Sequence, residues 1–67
     1  MTLSWDDAED IAERLVAAHP DVDPLGVRFT DLRCWVLALE GFSDDPMASS
    51  EGKLERIQIA WVEWRDS

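Results

Sequence analysis

The sequence predicts a mainly α-helical protein with three helices in the order of a helix-turn-helix core. Three segments carry apolar residues every three or four positions, which is the spacing of one buried helix face. Capping residues, prolines and glycines separate these segments. The 67 residues suffice for one small domain, residues 1–67. Its core must come from tryptophan and aliphatic side chains, because Cys34 is the only cysteine and no disulfide can form within the chain.

Helix 1 is expected from about Trp5 to Ala18. Ser4 is a suitable N-cap, and Asp7 stands where a capping box would place glutamate. His19-Pro20 should end the helix, because a residue that precedes proline disfavours the helical conformation. The predicted buried residues recur at helical spacing: Trp5, Ala8, Ile11, Ala12 and Leu15.

The connector, residues 21–30, should contain one tight turn and one short strand. Asp23 can cap a helical turn that begins with Pro24 and ends at Gly26. The residues Val27-Arg28-Phe29 favour an extended conformation and predict the strand. A short strand after the first helix is what gives the chain its helix-turn-helix order.

Helix 2 is expected from a cap at Thr30 to about Glu40, with Gly41 as its stop. Helix 3 should follow the loop 42–49, with Ser49 or Ser50 as its cap, and reach about Trp64. Their predicted buried residues are Leu32, Trp35, Val36 and Leu39 in helix 2, and Leu54, Ile57, Trp61 and Trp64 in helix 3. Ile59 and Val62 lie off this stripe and form either a second small cluster or an apolar contact patch.

The charge is strongly negative, with fifteen acidic residues against six basic ones and a net charge of −9. Such a field repels phosphate backbones and attracts cations and basic protein surfaces. A winged-helix nucleic-acid-binding module is the alternative, but acids and bases alternate on helix 3 without forming a basic stripe. We therefore expect no nucleic acid partner. No apolar run reaches spanning length, so we also expect no membrane partner.

Two punctuated segments carry a family resemblance: residues 23–35, DPLGVRFTDLRCW, and residues 42–51, FSDDPMASSE. With Trp5, Asp7, Pro20 and Trp61 they resemble IscX, the small acidic protein family of bacterial iron–sulphur cluster assembly, over nearly the whole chain. The resemblance implies a winged-helix-like fold. A full wing should be reduced or absent here, because the chain ends soon after helix 3.

The resemblance also implies a function. Proteins of this kind are regulators of cluster assembly, not enzymes, and dock an acidic surface on an IscS-type cysteine desulfurase. Other cluster-assembly proteins are further candidate partners. A cytoplasmic monomer that binds ferrous iron weakly, with no tightly bound cofactor, is the expectation. The tail, residues 63–67, departs from the acidic cluster in which such proteins often end, which weakens any role for it in iron binding.

The acidic face of helix 1 is the candidate metal site. Carboxylates one turn apart can share a cation, although a solvated face without metal is the commoner use of this pattern. Carboxylates are hard ligands that discriminate poorly among divalent ions, so a site here should be weak and exchangeable. The candidate ligands are Asp6, Asp7, Glu9, Asp10 and Glu13.

The candidate partner-binding residues are charged side chains on helix 1 and the two segments that carry the resemblance. Asp45 should also cap a turn that Pro46 opens, whereas Asp44 has less to do locally. Arg28 should pair with Asp31 or Asp23 or, if exposed, contact a partner. The full set is Glu9, Asp10, Glu13, Arg28, Asp31, Asp44 and Asp45.

Two residues with reactive side chains are not assigned to the site. His19 stands at a helix end, where a dipole or capping role is commoner than metal binding. Cys34 is expected to act as a small apolar residue at the edge of the helix 2 stripe. An exposed thiol that accepts sulphur is the alternative for Cys34, but the sequence offers no activating partner for it.

Overall fold

The computed structural model describes residues 2–66 and confirms the mainly α, three-helix class. Helix α1 spans Ala8–Ala18, α2 spans Phe29–Leu37 and α3 spans Glu51–Asp66. Two short 3-10 turns, Pro24–Gly26 and Pro46–Ala48, lie in the connections. Within these described residues, no helix is both long enough and apolar enough to cross a membrane.

Helix α1 begins three residues later than expected. Trp5 and Asp6 form a turn, and the Asp7 carboxylate accepts hydrogen bonds from the Ser4 N–H at 2.9 Å and the Ser4 hydroxyl at 3.3 Å. Ser4 is therefore not the N-cap of α1 as predicted: Asp7 occupies that position and makes no side-chain capping hydrogen bond. Trp5 lies before the helix, and its backbone N–H donates to the distant Asp44 carboxylate at 3.1 Å. The expected end of the helix, before Pro20, is confirmed.

The connector confirms the turn and contradicts the strand. The Asp23 carboxylate accepts the Leu25 N–H at 3.1 Å and caps the Pro24–Gly26 turn. The segment Val27-Arg28-Phe29 forms no strand, since Phe29 already opens α2. In residues 2–66 the β-type pairing is a single isolated bridge between Leu3 and Phe42. Extended residues without a hydrogen-bonded neighbour do not make a sheet, so the winged-helix-like topology stays a prediction.

Helix α2 begins two residues earlier and ends about three residues sooner than expected. Arg28, not Thr30, occupies the N-cap position, and the helix ends at Leu37 instead of Glu40. Residues 38–41 turn back, and Gly41 adopts a φ of 85°, in the left-handed region that favours glycine. This reversal lets the Gly41 carbonyl accept the Leu3 N–H at 2.8 Å. A contact with the N-terminal segment therefore accompanies the early end of α2.

The cap of α3 is Ser50, one of the two residues expected. Its hydroxyl accepts the Lys53 N–H at 3.2 Å. In the loop before it, the Asp45 carboxylate accepts the Met47 N–H at 2.9 Å and caps the Pro46–Ala48 turn, as predicted. These short side-chain caps fix where each turn begins.

The core lies mainly between α1 and α3, with α2 closing one side. Every residue of the predicted α1 stripe is buried. Trp35 and Leu39 are only half-buried, and Trp64 is 40% exposed, so the stripes of α2 and α3 are narrower than predicted. The buried residues are Leu3, Trp5, Ala8, Ile11, Ala12 and Leu15, together with Pro24, Leu32, Val36, Leu54, Ile57, Ala60 and Trp61.

Candidate functional site

The acidic face of α1 is exposed, opposite the buried stripe. Glu9, Asp10 and Glu13 are all open to solvent, and Glu9 and Glu13 lie one turn apart within the helix. Asp6 is also exposed, but it precedes the helix, so its spacing to Asp10 is not that of continuous α-helix. The structure therefore presents three helical carboxylates and one turn carboxylate on the same end of the molecule.

A groove runs between this acidic end of α1 and one face of α3. It is open, encloses about 440 Å³, and combines the acids of α1 with side chains that the candidate set omitted. Arg56, Ile59 and Glu63 recur every three or four positions on α3, a pattern that could have identified this second wall. The lining residues are Asp6, Asp7, Ala8, Glu9, Asp10, Arg56, Ile59, Ala60 and Glu63.

Ile59 gives the acidic groove an apolar element. Its side chain is 52% exposed, whereas Val62, the other residue off the stripe, is half-buried. Of the two roles considered for this pair, the position of Ile59 favours a contact patch. Isolated exposed apolar residues are common on protein surfaces. Ile59 is a candidate contact residue because charged side chains line the groove around it.

The predicted metal ligands do not converge. In the part of the chain from residue 2 to residue 66, no three histidine, cysteine, aspartate or glutamate side chains are arranged to hold a metal ion. Two of the five acids already have partners, since Asp7 accepts from Ser4 and Asp6 pairs with Lys53 at 3.4 Å. A cation at this surface would meet negative charge and individual carboxylates, but these do not form a coordination sphere.

Asp44 has a structural role that the sequence did not suggest. Its carboxylate accepts the Trp5 N–H at 3.1 Å and the Asp45 N–H at 2.7 Å. These two N–H groups, helped by the charge of Lys53 and opposed by desolvation, lower the pKa of Asp44 from its ordinary value. The prediction that Asp44 has little to do locally was wrong.

Trp5 and the Asp44-Asp45 turn form a clasp that joins the N-terminal segment to the loop. The Trp5 indole N–H donates to the Asp45 carbonyl at 2.8 Å, and the Trp5 ring meets Phe42 edge-on at 4.8 Å between centroids. The isolated bridge between Leu3 and Phe42 extends the same contact. Two candidate partner-binding groups, the α1 acids and the Asp44-Asp45 turn, are therefore held in fixed relation.

The ion pairs differ from those expected. Lys53 pairs with Asp6, and Arg65 pairs with Asp23 at 3.6 Å. Arg28 makes an ion pair with neither Asp31 nor Asp23, so that prediction was wrong. Arg28 and Asp31 are both exposed at the start of α2, where they remain available to a partner.

His19 and Cys34 lie outside the acidic site. The His19 ring stacks on Trp35 at 4.2 Å between centroids with 15° between the planes. His19 is the C-cap of α1, and its backbone N–H bonds to Leu15, in agreement with the capping role. Cys34 is exposed, which contradicts its expected role as a packed apolar residue.

Two comparisons with known proteins each match nearly the whole chain. A family model described as iron–sulphur cluster assembly matches residues 3–66. The uncharacterized protein PA3808 of Pseudomonas aeruginosa is 53% identical over 66 residues, which cover 98% of this chain and 100% of that protein. Both matches include all three helices, the clasp and the acidic groove.

Proposed function

This chain belongs to the IscX family of iron–sulphur cluster assembly proteins, and we propose that it acts there as an acidic adaptor that regulates assembly. Its partner would be an IscS-type cysteine desulfurase, bound through a basic surface. The observation that carries the proposal is the exposed acidic face of α1, Glu9, Asp10 and Glu13, which no buried contact of the fold uses. Opposite charge across an interface steers encounter and fixes orientation.

The proposed contact surface extends beyond α1. Asp45 is exposed, and the clasp holds it near the N-terminal acids, while Asp44 contributes by positioning that turn. The exposed Arg28 and Asp31 complete the proposed set at the start of α2. A cation placed among acids can fix the register of a partner, because like charges placed opposite each other are costly.

Ferrous iron enters the proposal as a weakly bound ion that exchanges freely. The candidate ligands Asp6, Asp7, Glu9, Asp10 and Glu13 supply only hard oxygen atoms and do not form a coordination sphere. We propose that the protein is a monomer of the cytoplasm without enzymatic activity of its own. Other cluster-assembly proteins with basic surfaces are further proposed partners.

A protein partner is favoured over nucleic acid. Lys53 and Arg65, two of the bases on α3, are already paired with acids of this chain. The groove beside α3 is lined with carboxylates, which repel a phosphate backbone. The winged-helix-like arrangement of the helices, if present, would thus serve as a scaffold for protein contacts.

The test is capture of the desulfurase from a lysate of the source organism at low salt, with two charge-reversed variants. Asp10→Lys with Glu13→Lys should abolish capture. The matched control, Asp21→Lys with Asp66→Lys, changes the net charge equally, from −9 to −5, at two exposed acids outside the proposed set. It should retain most of the binding.

Salt provides the second criterion. Association should slow steeply as salt rises, since roughly 0.15 M salt screens charges beyond about 8 Å. Equal capture of both double variants, with native circular dichroism, would show that the α1 face is not the docking surface. A flat salt response would contradict electrostatic docking on any face.

A further inference from the structure

We propose that Lys53 is a built-in counter-cation of the acidic surface, which competes with the basic side chains of a lysine- and arginine-rich partner for the same carboxylates. The inference rests on the proposed docking function and names a residue that sets its affinity. Lys53 is the only lysine in the chain and lies in the first turn of α3, where it pairs with Asp6, two residues before α1.

The position of Lys53 supports this role. Its Nζ lies 3.4 Å from Asp6 Oδ1, with the two side chains 38% and 76% exposed. The same positive charge also acts on Asp44, where it adds to the lowering of the pKa by the Trp5 and Asp45 N–H groups. Lys53 therefore interacts electrostatically with Asp6, next to α1, and with Asp44, in the clasp.

Competition follows from this shared position. A basic side chain that approaches Asp6 meets a carboxylate already partly neutralised, and it is also repelled by the Lys53 ammonium. An exposed ion pair of this kind is weak, so the restraint on a partner should amount to about two- to fivefold in the binding constant. A restraint of this size adjusts affinity without blocking the surface.

The experiment compares three variants of the full chain. Lys53→Gln removes the charge, and Lys53→Arg restores it. Arg65→Gln makes the same change in net charge about 18 Å further along α3, at 1.5 Å per residue, where the cation pairs with Asp23 instead. Binding is measured with a hexalysine peptide, followed by backbone amide shifts, and separately with the purified cysteine desulfurase.

We expect Lys53→Gln to bind both ligands about two- to fivefold more tightly than the wild type at roughly 0.05 M salt. Lys53→Arg should return the affinity to that of the wild type, and Arg65→Gln should change it less than Lys53→Gln does. The gain should vanish near 1 M salt, where the screening length is about 3 Å. Circular dichroism verifies that each variant is folded.

Measuring both hexalysine and the desulfurase distinguishes a failure of the Lys53 proposal from a failure of the proposed function. If the desulfurase binds wild type and Lys53→Gln equally, Lys53 is not a restraint, although docking itself stands. An equal gain in Arg65→Gln would also overturn the inference, because net charge would then suffice. If hexalysine shows the expected pattern but the desulfurase binds no variant, the role of Lys53 is supported and the choice of partner is wrong.

Discussion

Replacing Trp5 with phenylalanine should lower the free energy of unfolding more than the same replacement at Trp61. Both side chains are 1% exposed, so each variant loses a similar buried volume. The two indole N–H groups differ. That of Trp5 donates to the Asp45 carbonyl at 2.8 Å, whereas that of Trp61 is buried and has no hydrogen-bond partner among the described residues.

The magnitude follows from this difference. Trp5→Phe loses a hydrogen bond worth about 0.5–1.5 kcal/mol net, and the lower value applies because Asp45 is exposed and water can reach its carbonyl. Trp61→Phe removes an unsatisfied donor, whose burial costs about 1–3 kcal/mol. With the volume terms cancelling, Trp61→Phe should be the more stable variant by about 1.5–3.5 kcal/mol.

Urea unfolding followed by far-ultraviolet circular dichroism measures both free energies under identical conditions. Hydrogen exchange at residues 43–47 provides a second readout, because Trp5→Phe should loosen the clasp and speed exchange there, while Trp61→Phe should not. A Trp61 variant that is equally or less stable than the Trp5 variant would refute the reasoning from the indole N–H groups.

Two further predictions concern the acids. Asp44→Asn should destabilise the protein at neutral pH, and the difference from wild type should shrink as the pH falls below 3.8, as urea midpoints can show. The N–H groups of Trp5 and Asp45 hold the pKa of Asp44 in the folded protein below its ordinary value of 3.8. The stability contributed by the ionised Asp44 carboxylate is therefore complete above pH 3.8 and is lost as the pH falls through the lowered pKa. A stability difference between variant and wild type that grows in acid would contradict this. Ferrous iron should bind weakly, yield to excess Mn²⁺ or Mg²⁺, and dissociate as pH falls toward about 4, where exposed carboxylates protonate. An anaerobic titration followed by amide shifts tests this, and tight binding mapped to His19 or Cys34 would contradict it.

Much of the local structure could be predicted from sequence. The Asp-Pro turns at Asp23 and Asp45, the Ser50 cap and the end of α1 before Pro20 were all read from adjacent residues and are present. Four of the five predicted helix 1 stripe residues lie within α1 and are buried, because a helix period places them on one face, whereas Trp5 is buried from the turn before the helix.

The errors lie where distant contacts override local preference. Trp5 was expected inside helix 1 but lies in the turn before it, where its backbone and indole N–H groups bond to the distant Asp44 and Asp45. Val27-Arg28-Phe29 has strand-forming residues and no neighbouring strand to pair with, so Phe29 joins α2. β-propensity expresses fit to a neighbouring strand more than an intrinsic backbone preference.

Three helices, the residues that end them and an acidic outer face on α1 can be predicted from the sequence, because they depend on residues within one or two turns of each other. The contacts of Lys53 with Asp6 and of Asp44 with Trp5, and the position of Glu63 across a groove from the α1 acids, are visible only in the folded chain. Those contacts join residues far apart in the chain. Their existence depends on how α1 packs against α3, which the spacing of residues along either helix does not specify.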